Sequence, residues 1–176
     1  MNDIIILLLL CFFTGIIVKY SDYLEDTKKE SNIFIRILLG VMYGLLLFYT
    51  MYRFAFIIPL WMGIIFGLII SRKIDAPAHY TGVGITFLLF YVFNLSFDSL
   101  SLLSLFTIIC VLEEFLNDYF DKLHIENKTI KKIISARPIL EITALIVGLF
   151  IGNILIWIAL LFHDIGYLLI ANRFEK

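Results

Sequence analysis

Glu114, Asn117, Asp118 and Asp121 stand at i, i+3, i+4 and i+7 in the stretch EEFLNDYFDKLH, so a helix carries them on one face. Carboxylates one turn apart can share a hard divalent cation, and Mg2+ held in this way often bridges to phosphate. Near the start, KYSDYLED repeats the arrangement with Asp22 and Asp26, flanked on the same stripe by Lys19 and Lys29. The metal-ligand candidates are therefore Asp22, Asp26, Glu114, Asp118 and Asp121, with Mg2+ as the expected cofactor. Acids gathered at a helix C-terminus oppose the macrodipole and repel one another at i, i+4. A bound cation or a basic partner would remove both penalties. The competing reading is a solvated interfacial face paired with Lys122, Lys128, Lys131 and Lys132. It is preferred for Glu25, Glu30 and Glu126, and it stands level with the site reading for the aspartates.

Each of the three histidines lies close to an acid: His79 to Asp75 in KIDAPAHY, His124 to Asp121, and His163 to Asp164. His163 and Asp164 interrupt an apolar run, where an ionisable pair is costly and by default faces a bundle interior or a wet cavity. His163, Asp164 and His79 are the catalytic candidates, with the imidazoles suited to acid–base work. Lys19, Arg72, Lys73 and Arg137 are the phosphate-binding candidates. Glu141, beside Arg137, suggests an ion pair; with His163 and Asp164 it would line the path of a transporter. Arg36 is placed to snorkel to an interface.

The elements that position these residues follow from composition. The 176 residues are 61% hydrophobic and 16% charged, with a mean hydropathy of +0.98. A chain of this size cannot hide so much apolar surface in one globular core, so the bilayer is its expected partner. The net charge of −1 argues against nucleic acid. Cys11 and Cys110 both fall in apolar runs and read as packing residues rather than a disulfide or zinc framework. The N-terminus MNDIIILLLLCFF lacks a basic leader and a small-residue cleavage site, so it reads as a retained helix.

The expected fold is an all-α integral membrane protein of seven transmembrane helices, at 3–20, 33–50, 53–71, 79–95, 99–116, 138–152 and 153–172. The count falls to six if one of the tight pairs, second–third or sixth–seventh, is a single bent element. Pro59 is expected to kink the third helix. With the N-terminus outside, 19–36, 72–78, 117–137 and 172–176 are cytoplasmic and hold every Lys and Arg except Arg53. The positive-inside rule then gives a multi-pass cell-membrane protein with a cytoplasmic C-terminus. Gly40, Gly44, Gly63 and Gly67 form small-xxx-small pairs that allow close helix packing.

The chain reads as one transmembrane domain with a suggestion of duplication. SDYLED is similar to NDYFDK, and ISRKID to IANRFE, which would make 1–76 and 97–176 parallel repeat halves around a linker helix at 79–95. That three-plus-one-plus-three topology is similar to the arrangement of small sugar transporters.

NDYFD also resembles the opening of the N-D-x-x-D-x-x-x-D motif of UbiA-type prenyltransferases, and Arg137-Pro138 is similar to the Arg-Pro of that family. The match covers Asn117, Asp118 and Asp121; the last aspartate of the motif falls on Ile125, and the chain is much shorter than those nine-span enzymes. The resemblance implies a chemistry, aspartate-held Mg2+ gripping a prenyl diphosphate, and does not assign membership. Three functions follow in order. The first is a Mg2+-dependent membrane enzyme acting on a phosphorylated or prenyl-type diphosphate lipid. The second is a small-solute or ion transporter or channel, and the third a structural membrane subunit with no site of its own. The outer halves of the spans are almost wholly apolar, which favours a one-sided enzyme site over a path.

Overall fold

The computed structural model describes residues 2–27, 32–122 and 137–174, which form seven α-helices. They are α1 Asn2–Thr27, α2 Ile33–Arg53, α3 Ile58–Ile70, α4 Pro77–Val92, α5 Leu100–Lys122, α6 Pro138–Phe150 and α7 Leu155–Phe174. A 3-10 turn, Ala55–Ile57, leads into α3. Each helix grows from one of the apolar runs, and the punctuation between them is local. Asn32 caps α2 by accepting from the amide of Phe34 at 3.0 Å. Pro77 and Pro138 open α4 and α6, where a missing N–H costs nothing. The helices α3, α4 and α6 end in the same Schellman turn, with Arg72, Asn94 and Gly152 at positive φ and paired backbone bonds closing back onto the last turn.

One expectation changes in detail. Pro59 does not kink a helix, because it sits in the first turn of α3, where proline is tolerated. The helices α1 and α5 continue past the apolar spans to Thr27 and Lys122, carrying the acidic stripes as helix, in keeping with their one-face spacing. The tight connections do separate distinct helices: the 3-10 turn parts α2 from α3, and the Gly152 turn parts α6 from α7.

By length and composition α1, α2, α5 and α7 can cross a membrane, while Ala55–Ile70 and Pro138–Phe150 are apolar but shorter. Large apolar side chains stand exposed along the helices, Phe34, Tyr91, Leu100 and Phe150 among them. So much outward apolar surface fits a helical membrane protein.

The described helices divide into two compact units: α1, α2, α4 and α7 from Ile158 onward in one, and α3, α5 and α6 in the other. In the first unit the ion pairs made by α1 sit at its two ends. Asp3 pairs with Arg53 at one end (3.0 Å, both exposed), while Asp22, Glu25 and Arg36 lie at the other. Asp3 and Asp22 are separated along α1 by about 28 Å at 1.5 Å per residue, close to the hydrocarbon thickness of ~30 Å. Aromatic clusters mark the same two levels, Phe48, Tyr52 and Phe93 at the first and Tyr20, Tyr23 and Phe174 at the second.

Candidate functional site

In the first unit, four helices bring polar groups to one place. From α1 come Lys19 and Asp22, from α2 Tyr43, from the first turn of α4 His79, and from α7 Tyr167. His79 Nε2 lies 2.9 Å from Asp22 Oδ1, and Tyr167 Oη donates to Asp22 Oδ2 at 3.0 Å. Both carboxylate oxygens are thereby engaged. On the far side of the imidazole, Tyr43 Oη is 3.3 Å from Nδ1 and also donates to Ala78 O at 3.1 Å. The result is a carboxylate–imidazole pair held from behind by two tyrosines. The side chains of Asp22 and His79 are 23% and 20% exposed, so the pair is sheltered yet reachable. The Lys19 ammonium lies 4.9 Å over the Tyr167 ring, adding positive charge beside the carboxylate. One turn along α1, Glu25 binds Arg36 of α2 at 2.7 Å, so Arg36 is an interhelical partner.

Close backbone packing makes this geometry possible. Gly44 of α2 lies against Gly82 of α4, and Gly82 is covered by the Tyr43 ring, where a Cβ would overlap the phenol. Gly15 and Gly166 let α1 and α7 meet with the His163 carbonyl against Gly15, which brings Tyr167 within reach of Asp22. His163 Nδ1 pairs with Asp164 Oδ1 at 2.9 Å, half-buried, and its ring stacks on Tyr167 one turn later.

The second unit collects the acids of α5. Glu113 is 2% exposed, and its two oxygens accept from the amides of Ile139 (2.8 Å) and Leu140 (3.1 Å) in the first turn of α6. Arg137, at the N-cap position with φ 49°, offers no capping side chain; the carboxylate from α5 caps the helix instead. Glu114 binds Arg137 at 2.9 Å and lies 4.0 Å from Lys73, which also pairs with Asp118. A mutually neutralised network therefore ties the end of α3, the end of α5 and the start of α6. Gly63 and Gly67 let α3 lie against Phe106 and Cys110 of α5 and keep Lys73 within reach.

The sequence-derived candidates thus separate by role. His79 is bonded to Asp22, not to its sequence neighbour Asp75, because the first turn of α4 turns its ring toward α1. Asp26 and Arg72 are exposed, Arg72 occupying the left-handed position that ends α3. Lys73 and Arg137 are tied to Glu114 and Asp118. Glu141 is half-buried one turn into α6. The Asp121 side chain, together with Lys29, Glu30, His124, Glu126, Lys128, Lys131 and Lys132, lies outside the described residues. Among the described residues, no three His, Cys, Asp or Glu side chains gather as a cation cage. Both oxygens of Asp22 and Glu114, and Oδ1 of Asp118, face protein partners, so these three side chains present no set of free oxygens for Mg2+. Tyr43 and Tyr167 were not among the candidates. The i, i+4 spacing of His163 and Tyr167 was a usable signal for the second; nothing local marks the first.

Cys11 and Cys110 are free and buried, as packing residues should be. Comparison with family models, with curated proteins and with solved structures yields no match, so the polar geometry itself carries the functional argument.

Proposed function

We propose that this chain is a multi-pass membrane enzyme that performs acid–base chemistry on a phosphorylated lipid at the membrane surface, with the Asp22–His79 pair as its working centre. The observation that carries this reading is the 2.9 Å contact between His79 Nε2 and the Asp22 carboxylate. An imidazole oriented by a carboxylate in a sheltered site is a standard acid–base arrangement, and it is costly to keep in an apolar bundle without a use. Lys19 supplies positive charge for an anionic headgroup, and Asp22 orients the ring. His163, paired with Asp164, stacks on Tyr167, whose hydroxyl holds Asp22.

An enzyme is favoured over a transporter because Lys19, Asp22, Tyr43, His79 and Tyr167 converge in one cluster. Thr14, Thr50 and Thr86 turn their hydroxyls onto carbonyls of their own helices (2.7, 2.7 and 2.8 Å), Thr86 also lying 3.3 Å from Gly44 O of α2, so these three hydroxyls are engaged within the bundle. The test uses protein reconstituted in liposomes containing a polyprenyl diphosphate, with product lipid and phosphate followed with and without Mg2+. His79→Gln and Asp22→Asn are expected to lower turnover by about 100-fold or more, whereas Arg53→Gln leaves it unchanged. Equal turnover in wild type and His79→Gln would sink the proposal, and solute accumulation without turnover would move it to transport.

A further inference from the structure

The Tyr43 hydroxyl has one hydrogen and two neighbours, Ala78 O at 3.1 Å and His79 Nδ1 at 3.3 Å. On the opposite side of the ring, Nε2 faces the Asp22 carboxylate, which has no hydrogen to offer when ionised. These constraints leave two arrangements in which every group is satisfied. In the first, Tyr43 donates to Ala78 O, so Nδ1 must carry hydrogen to reach the phenol oxygen; Nε2 carries one for Asp22, and the ring is an imidazolium. In the second, the hydroxyl turns onto a bare Nδ1 while Nε2 keeps its hydrogen on Asp22, and the ring is neutral. Removing the proton from Nε2 instead would set a lone pair against the carboxylate.

We infer that His79 gains and loses its proton at Nδ1, and that Tyr43 is the positioning residue that permits this by rotating its hydroxyl between Ala78 O and the ring. The balance is simple. The Nδ1 proton passes to water or substrate, the phenol hydrogen swings from the carbonyl to the bared nitrogen, and the Asp22 bond is untouched throughout. Ala78 O remains an acceptor for its own helix, so losing the phenol leaves it satisfied. The Tyr43 ring is 3% exposed and pinned against Gly82, which confines the change to rotation of the hydroxyl. The charged and titratable groups around the ring are Lys19, Asp22 and Glu25 from α1, with Arg36 paired to Glu25. Tyr43 comes from α2, Tyr167 from α7, and Asp75 from the segment before α4.

The inference deepens the acid–base reading of this site, but its measurement needs no turnover, so either can fail alone. Protein labelled with 15N-histidine and 13C′-alanine is placed in lipid nanodiscs and titrated by NMR. Ala78–His79 is the single Ala-His step in the chain, so its amide is the one bond joining both labels. The His79 ring signals are those missing from His79→Gln. The expected result is that Nε2 stays protonated while Nδ1 titrates, and the Ala78 carbonyl shift moves at the same midpoint. In Tyr43→Phe the Ala78 shift should lose that pH dependence while the ring still titrates. Titration at Nε2 in the wild type overturns the inference, as does an Ala78 response that persists unchanged in Tyr43→Phe. Asp22→Asn should release the preference and give a mixture of ring tautomers; a single unchanged tautomer there also overturns it.

Discussion

Glu113→Gln isolates one carboxylate whose contribution can be worked out from two distances. The wild-type oxygens accept from Ile139 N at 2.8 Å and Leu140 N at 3.1 Å, the first two amides available in α6 because Pro138 has none. Glutamine keeps the shape but has one acceptor, and it turns an NH2 donor toward the other amide. The substitution loses one charge-assisted bond, roughly 1.5–3 kcal/mol, and leaves a buried donor facing a donor, which costs a further ~1–3 kcal/mol. Part of this is relieved if the side chain swings away or the first turn of α6 frays, so a net cost of about 2–4 kcal/mol is expected. At 1.4 kcal/mol per factor of ten, the Ile139 and Leu140 amides should exchange with deuterium roughly 30- to 700-fold faster. Hydrogen–deuterium exchange by NMR reads this locally, and Asp118→Asn, at a half-exposed pair, serves as the comparison. Acceleration below about threefold at both amides would refute the capping argument, because the carboxylate would then be dispensable to the start of α6.

Arg72→Gly should stabilise the protein by roughly 1 kcal/mol, since a non-glycine residue at φ 57° carries a steric penalty that glycine does not; a lower midpoint in thermal unfolding would show that the exposed arginine contributes more than the turn costs. Gly82→Ala should push the Tyr43 ring off α4, costing about 1–3 kcal/mol by overpacking and breaking the phenol contact to His79. Unfolding in denaturant gives the cost, and an unchanged His79 ring spectrum would count against the close approach.

Much of the fold was readable because long apolar runs broken by Pro, Gly and charge leave few alternatives to seven helices. The continuation of α1 to Thr27 and α5 to Lys122 is the same amphipathic signal, carried past the apolar stretch. The sites were less readable, for a physical reason. Asp22 meets Tyr167 across a sequence separation of 145 residues, and Lys73 meets Asp118 across 45. Spacing along a chain reports which residues share a helix face, but not which face of another helix arrives there. Glu113 shows the same limit: it stood outside the one-sided stripe of Glu114, Asn117, Asp118 and Asp121, yet it has the most buried carboxylate of the group. The proline at the start of α6 with no Ser, Thr, Asp or Asn before it was the available hint that a cap had to come from elsewhere.

The acidic tail of α5 demanded a cation or a basic partner, and within its unit the protein supplies the partner: Glu113 takes a helix terminus, Glu114 takes Arg137, and Asp118 takes Lys73. Lys and Arg are permanently charged near neutral pH, so such pairs brace the structure under all ordinary conditions. Asp22 is different, because its partner is an imidazole, whose charge is conditional. A brace gains nothing from a conditional partner, whereas proton transfer requires one. His79→Lys separates these possibilities. The ammonium can still meet the Asp22 carboxylate, so unfolding stability should stay within about 1 kcal/mol of wild type, the range for a partly exposed pair. Acid–base turnover should fall about 100-fold or more, because an amine held permanently charged beside a carboxylate cannot exchange its proton near neutrality. Retained turnover in His79→Lys would make the pair a brace like the others.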